Sequence, residues 1–221
     1  MSILPSERIQ WALIAAMTLA GLVVIAVLPP DARVPTHFDL HGNADGWSAA
    51  PFALLLLPAL AALNAGLQRL LPKIDPRGAN LTRSAGAVAT IFTAVTVLLA
   101  IVQGVIVAAA LGMPWRAAGM PQLMVGGLFV VIGNVLGKLR TNYTVGIRTP
   151  WTLANERVWD HTHRFGGKVF VAGGLLLCAL PMLPLDAKWQ EAGLVILPLL
   201  CAAAPVLKSW LLWRDLQRPA H

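Results

Sequence analysis

Two hydrophilic stretches of the 221-residue chain hold the side chains that could do chemistry. The first, Pro29 to Ala50, places His37, Asp39 and His41 at alternate positions. In an extended segment that spacing puts all three on one side, where two neutral imidazoles and a carboxylate form an acceptable set for a divalent metal. The spacing matches no strong metal motif, and polar loop residues at a membrane surface need no ligand to account for them. No cofactor is therefore assigned, and a divalent metal on His37, Asp39 and His41 stands as the alternative. Gly42 and Gly46 tolerate positive φ, while Asn43 and Asp45 bond their own backbone, so a compact turn is predicted just before Trp47.

The second stretch, Lys138 to Lys168, carries Lys138, Arg140, Arg148, Arg157, Arg164 and Lys168, cations suited to anionic headgroups. Thr149 ahead of Pro150 reads as an N-cap followed by proline at the first helical position. From there Trp151, Ala154, Val158, Trp159 and Thr162 recur at helical spacing, which predicts a short helix lying in the interface plane. In that reading Trp151 and Trp159 anchor the helix, and Arg148 and Arg164 touch phosphate. Glu156, Asp160 and His163 share a helical face, with His161 pointing elsewhere, so acid and base chemistry is conceivable there. Ion pairing with Arg157 or Arg164 accounts for the acids equally well. No GxSxG, HExxH, Walker or carboxylate-dyad pattern occurs, and no catalytic residue is assigned.

Composition sets what must position these loops. The chain is 57% apolar and 12% charged, with a mean hydropathy of +0.69, whereas a soluble domain carries about 25% charged residues. Too few polar groups remain to cover a water-facing surface, so the bilayer is the expected solvent and disorder is excluded. The net charge of +7 is spread along the chain rather than gathered in one patch, so direct nucleic-acid binding is not expected. Cys178 and Cys201 fall within apolar runs and make neither a disulfide framework nor a CxxC pair.

Six apolar runs are present: Ile9 to Leu28, Pro51 to Leu71, Ser84 to Leu111, Pro121 to Gly137, Val169 to Leu183 and Ala192 to Trp213. Backbone groups have no water partners in hydrocarbon, so each run should be a helix, giving an all-α polytopic membrane protein of six transmembrane helices. The first run is too long for a signal-peptide core of about 7–15 residues and reads as an uncleaved span. With the N-terminus inside, 14 of the 17 lysines and arginines fall on inner segments and 3 on outer ones, which orients the chain N-in/C-in. Trp47, Trp115 and Trp189 then lie near outer ends, and Trp11, Trp151, Trp159, Trp210 and Trp213 near inner ends, as interfacial belts.

Within the runs, Gly133 and Gly137 form a GxxxG that admits a close neighbour. Pro58, Pro181, Pro198 and Pro205 free carbonyls that neighbouring helices must take up. Asn64, Gln103 and Asn134 are the notable polar side chains, suited to interhelical hydrogen bonds. No charge sits near mid-depth, which counts against an ion-coupled transporter.

The two loops together resemble the SdpI family of bacterial membrane proteins with its amino-terminal DUF1648 region. Pro35, His37, Gly42, Asp45 and Gly46 resemble the DUF1648 loop; Asn142, Tyr143, Thr144, Val145, Gly146, Ile147, Arg148, Thr149, Pro150 and Trp151, then Trp159, His163 and Arg164, resemble the SdpI signature. Ser48 is followed by Ala49 where the DUF1648 loop often has lysine. The resemblance implies a DUF1648-like region over residues 1–83 and an SdpI-like region over 84–221, in the bacterial cytoplasmic (inner) membrane. It implies an immunity protein, with an antimicrobial peptide as its outer partner at His37, Asp39, His41, Gly42, Asp45, Gly46 and Trp47. A cytoplasmic transcriptional repressor is the implied inner partner, at the Asn142 to Arg164 motif. A membrane-embedded enzyme and a small-solute transporter remain the alternatives.

Overall fold

The computed structural model describes residues 5–39, 43–113 and 119–217. Its elements run α1 (Pro5–Val27), β1 (Arg33–Phe38), β2 (Ala44–Ala49), α2 (Ala50–Ile74), α3 (Gly78–Arg83), α4 (Ala85–Ala110), α5 (Met120–Leu136), α6 (Pro150–Ala154), α7 (Glu156–Ala179) and α8 (Ala187–Leu216), with a 3-10 turn at Leu180–Met182. Helices fall on all six apolar runs, and five of them are long and apolar enough to cross a membrane: α1, α2, α4, α7 with the following turn, and α8. The sixth, α5, has 17 residues. The protein is thus a polytopic membrane protein whose surroundings include the lipid bilayer. Its loop between α1 and α2 departs from a purely helical plan by forming a two-stranded antiparallel hairpin.

The Lys138 to Lys168 stretch also differs from expectation. There is no single helix from Pro150 to Thr162. Asn155 adopts an extended backbone (φ −143°, ψ 119°) that ends α6 and caps α7, its side chain accepting from the N–H groups of Arg157 and Val158. The residues expected to lie along the interface from Glu156 onward are instead the first turns of a 24-residue helix that continues into the apolar run. Asparagine favours an N-cap over a helix interior because its side chain competes for the backbone donors.

The chain divides into two compact units. One comprises residues 1–67 and 92–121. Its core gathers Val24, Val34, Ala50, Ala53, Leu54 and Ile106 at the hairpin end, and Ile14, Met17, Ala61 and Ala65 further along α1 and α2. Pro58 has no N–H to give the carbonyl of Leu54, four residues earlier in α2. The buried Gln103 on α4 supplies the missing donor, its Nε2 lying 2.9 Å from that oxygen. Asn64 similarly donates to the Phe92 carbonyl at 2.9 Å, and Gln10 donates to Thr93 Oγ1 at 2.8 Å.

The other unit comprises residues 68–91 and 122–221. Here α5 and α7 run antiparallel with backbones almost touching. A Cβ placed on Gly133 would stand 2.7 Å from the Gly167 oxygen and the reverse is equally true; Gly126 and Gly174 repeat the arrangement at 2.6 Å. The two contacts are seven residues apart on both helices, and between them Phe129 and Phe170 stack at 4.8 Å. Gly133 of the GxxxG thus does admit a close neighbour.

Replacing Gln103 by Leu should strand the Leu54 carbonyl in the wild-type background but not in Pro58→Ala, where a new backbone N–H can reach it. A double-mutant cycle on thermal unfolding in detergent should return a coupling of about 1 kcal/mol. Additive effects would show that the pairing contributes nothing.

Candidate functional site

Between α5 and α6 the backbone follows no regular pattern, so its polar groups must find partners elsewhere. Side chains supply them. From the segment joining α2 to α4, the buried Asp75 carboxylate accepts from the Arg77 N–H at 2.7 Å and from the Tyr143 N–H at 2.9 Å. Arg77 sends Nη2 to the Leu153 carbonyl at 3.2 Å and lays its guanidinium over the Tyr143 ring, 5.1 Å from the centroid. Asn80 donates to the Thr141 carbonyl at 2.8 Å, and Ser84 Oγ accepts from the Arg140 N–H at 2.8 Å.

The loop is folded from within by Asn142, which is fully buried. Its Oδ1 accepts from the N–H groups of Thr144 (2.9 Å) and Val145 (2.6 Å), and its Nδ2 donates to the carbonyls of Arg140 (2.8 Å) and Val145 (3.0 Å). Gly146 follows at φ +120°, a conformation open to glycine, and a Cβ there would meet His163 Nε2 at 2.5 Å. That close approach lets the Ile147 N–H donate to His163 Nε2 at 3.0 Å. The other ring nitrogen, Nδ1, lies 2.9 Å from the Trp159 carbonyl, which can only accept. His163 is therefore the neutral Nδ1–H tautomer, because a proton on Nε2 would forfeit the Ile147 bond.

Trp159 completes the arrangement. Its ring stacks on His163 at 3.9 Å between centroids, and its Nε1 donates to the Leu139 carbonyl at 2.8 Å. Thr149 and Thr152 form a reciprocal capping box at the start of α6, as the Thr149-Pro150 pair predicts. Thr152 Oγ1 also donates to the Ile147 carbonyl at 2.9 Å, and Thr149 Oγ1 meets Ser209 Oγ of α8 at 3.1 Å.

Asn142, Gly146, Thr149, Trp159 and His163 thus converge in one cluster. Trp159 is wholly buried, so it is no lipid anchor; Trp151 is half-buried and tilts against Trp213 at 6.4 Å. Both nitrogens of His163 are engaged, which removes it from the acid and base set proposed with Glu156 and Asp160. Tyr143, Arg148 and Arg164 are exposed, and Arg148 donates to the Tyr143 carbonyl at 2.7 Å. Sequence reasoning missed Asp75, Arg77, Asn80 and Ser84. The turn-forming Asp75-Pro76-Arg77-Gly78 sequence marked a break between two runs, but nothing in it named a partner 68 residues away.

At the hairpin the register pairs Val34 with Ser48, Pro35 with Trp47, His37 with Gly46 and Phe38 with Ala44. His37 Nδ1 and Asp45 Oδ1 are 2.5 Å apart, with side chains 75% and 48% exposed. A side chain at Gly46 would run into His37 Cβ at 2.9 Å. Asp39 turns to Asn43, accepting from its N–H at 2.7 Å and its Nδ2 at 3.0 Å. His41 and Gly42 lie outside the described residues. Among the described residues no group of three histidine, cysteine or acidic side chains is placed to hold a metal ion. Trp47 is 49% exposed beside this pair.

Comparison with known proteins meets both loops. Residues 138–209 match the SdpI/YfhL protein family, and residues 12–62 match the domain of unknown function DUF1648. The chain is 32% identical over 91 residues to a Bacillus subtilis (strain 168) protein named Immunity protein SdpI, a match covering 41% of this chain and 43% of that one. The chain therefore spans less than half the length of that relative. No solved structure matches.

Asp75→Asn keeps one acceptor and gains an NH2 that cannot accept. Amide exchange at Arg77 and Tyr143 should accelerate as about 1–3 kcal/mol of local stability is lost, while the exchange of α8 amides stays unchanged. Asp45→Asn, at an exposed His37–Asp45 hydrogen bond, should change stability by under about 1 kcal/mol.

Proposed function

We propose that this membrane protein of the SdpI family protects its host cell from a secreted antimicrobial peptide, meeting the peptide at the outer hairpin and reporting through the inner loop. The supporting observation is the identity to a protein named for immunity, together with the family match over residues 138–209, which include the whole Asn142–His163 cluster. His37, Asp45 and Trp47 supply an exposed imidazole, carboxylate and indole on a small hairpin, groups suited to polar and apolar parts of a peptide. Tyr143, Arg148 and Arg164 form the exposed surface that a cytoplasmic repressor would meet.

In this reading six helices, α1, α2, α4, α5, α7 and α8, cross the bacterial cytoplasmic membrane with both termini inside. The distribution of 14 inner and 3 outer lysines and arginines favours that orientation. At 17 residues, α5 extends about 25 Å, short of a hydrocarbon core of about 30 Å; local thinning accommodates the difference. The 1–83 and 84–221 regions take the outer and inner tasks respectively. A relay between them requires the peptide to bind two conformations unequally.

Expression in a peptide-sensitive strain tests the role. The wild-type chain should raise survival under peptide challenge. His163→Ala and Asp45→Ala, at matched expression, should each return it toward the empty-vector level, and undiminished protection in both variants would exclude these loops from the mechanism. A single cysteine at Arg148 should react with a membrane-impermeant maleimide only after permeabilisation; labelling of intact cells would reverse the orientation.

A further inference from the structure

Beside the Asn142 cluster lies a recess of about 100 Å³, lined by Asn80, Arg83, Arg140, Thr141, Glu156 and Asp160. No apolar side chain lines it. Its four charged residues are exposed, and none of them forms an ion pair within 4 Å of another described residue. Glu156 and Asp160 are one turn apart on α7, a like-charge spacing that costs stability unless something of opposite sign faces it.

The depth of the recess is set by the helices around it. Arg83 precedes α4 by two residues, Arg140 follows α5 by four, and Glu156 is the first residue of α7. Two apolar helices, α4 and α5, thus begin or end near this level, while the apolar part of α7 starts further along at Val169, which puts the recess on the headgroup side of the hydrocarbon boundary.

Charge narrows the ligand. A bare anion would be drawn to two guanidiniums but repelled by two carboxylates, and a bare cation meets the opposite conflict. A zwitterion satisfies both. Phosphate suits the planar fork of arginine, and a primary ammonium offers N–H donors to carboxylates where a quaternary one has none. The volume falls well below the roughly 300 Å³ at which pockets for drug-sized molecules begin, too small for a folded peptide segment. We infer that the recess binds the phosphoethanolamine headgroup of a bilayer aminophospholipid, with Arg83 and Arg140 on the phosphate and Glu156 and Asp160 on the ammonium. This site is independent of any immunity role.

The test uses the full chain, purified from nanodiscs holding equal amounts of phosphatidylethanolamine, phosphatidylglycerol and phosphatidylcholine, with retained lipid quantified by mass spectrometry. The wild type should retain phosphatidylethanolamine about tenfold over either competitor, the scale of one lost charge-assisted contact. Glu156→Gln with Asp160→Asn should shift retention toward phosphatidylglycerol, and Arg83→Gln with Arg140→Gln should lower retention of all three. Unfolding midpoints should match wild type, since the four side chains are exposed; should either double variant unfold, Asp160→Asn alone must still reduce the preference. Soluble phosphoethanolamine should displace the retained lipid only at concentrations far above that of the lipid; displacement at equimolar amounts would reassign the recess to a free headgroup. Equal retention of the three lipids by the wild type would overturn the proposal and leave the recess to a protein surface.

Discussion

Every backbone N–H and C=O that leaves a helix in this protein and is withdrawn from water needs a partner made of protein, because neither lipid nor a packed interior offers another. That constraint explains why polar side chains are where they are. Gln103 serves a single carbonyl opened by Pro58. At the loop between α5 and α6 the same need recurs residue after residue, and Asp75, Asn80, Ser84, Asn142, Arg148, Thr152, Asn155, Trp159 and His163 each hydrogen-bond main-chain groups. A motif rich in such side chains is first a device for giving an irregular backbone one conformation.

That device also separates roles within the signature. Asn142, Trp159 and His163 are consumed by the fold, so their functional weight lies in shape. Tyr143, Arg148 and Arg164 remain on the surface, where contact with another molecule is open to them. His163 illustrates the difference most directly: a histidine next to two acids in sequence invites a proton-transfer role, yet its two nitrogens are occupied by a backbone donor and a backbone acceptor. The hairpin has the opposite character, with His37, Asp45 and Trp47 exposed on a frame held by Val34 in the core beneath it.

Much of the helical plan was legible because its signal is long and simple. Apolar runs of 15 to 28 residues locate helices, and the Thr149-Pro150 pair located a helix start. The resemblance of the two loops to DUF1648 and the SdpI family also held, since it rested on side-chain identities in fixed order. The interface-plane helix failed at Asn155, where apolar periodicity continues through the break and conceals it. The hairpin was not read: Asp45 and Gly46, expected in the turn, lie in β2, with Asp45 bonded to His37 and not to its own backbone, and Gly42 lies outside the described residues; a short polar strand with Pro35 in it carries no alternation strong enough to announce itself.

The sequence by itself determined that the chain lives in lipid, which segments are helical and which two loops concentrate the polar side chains, because hydrophobicity and residue type are local properties summed over neighbours. Only the tertiary structure decided that Asp75 holds Tyr143, that Trp159 is buried rather than an anchor, and that two arginines and two acids line one recess. Those facts depend on hydrogen bonds and burial between residues distant in the chain, and no local pattern encodes which buried donor will meet which acceptor.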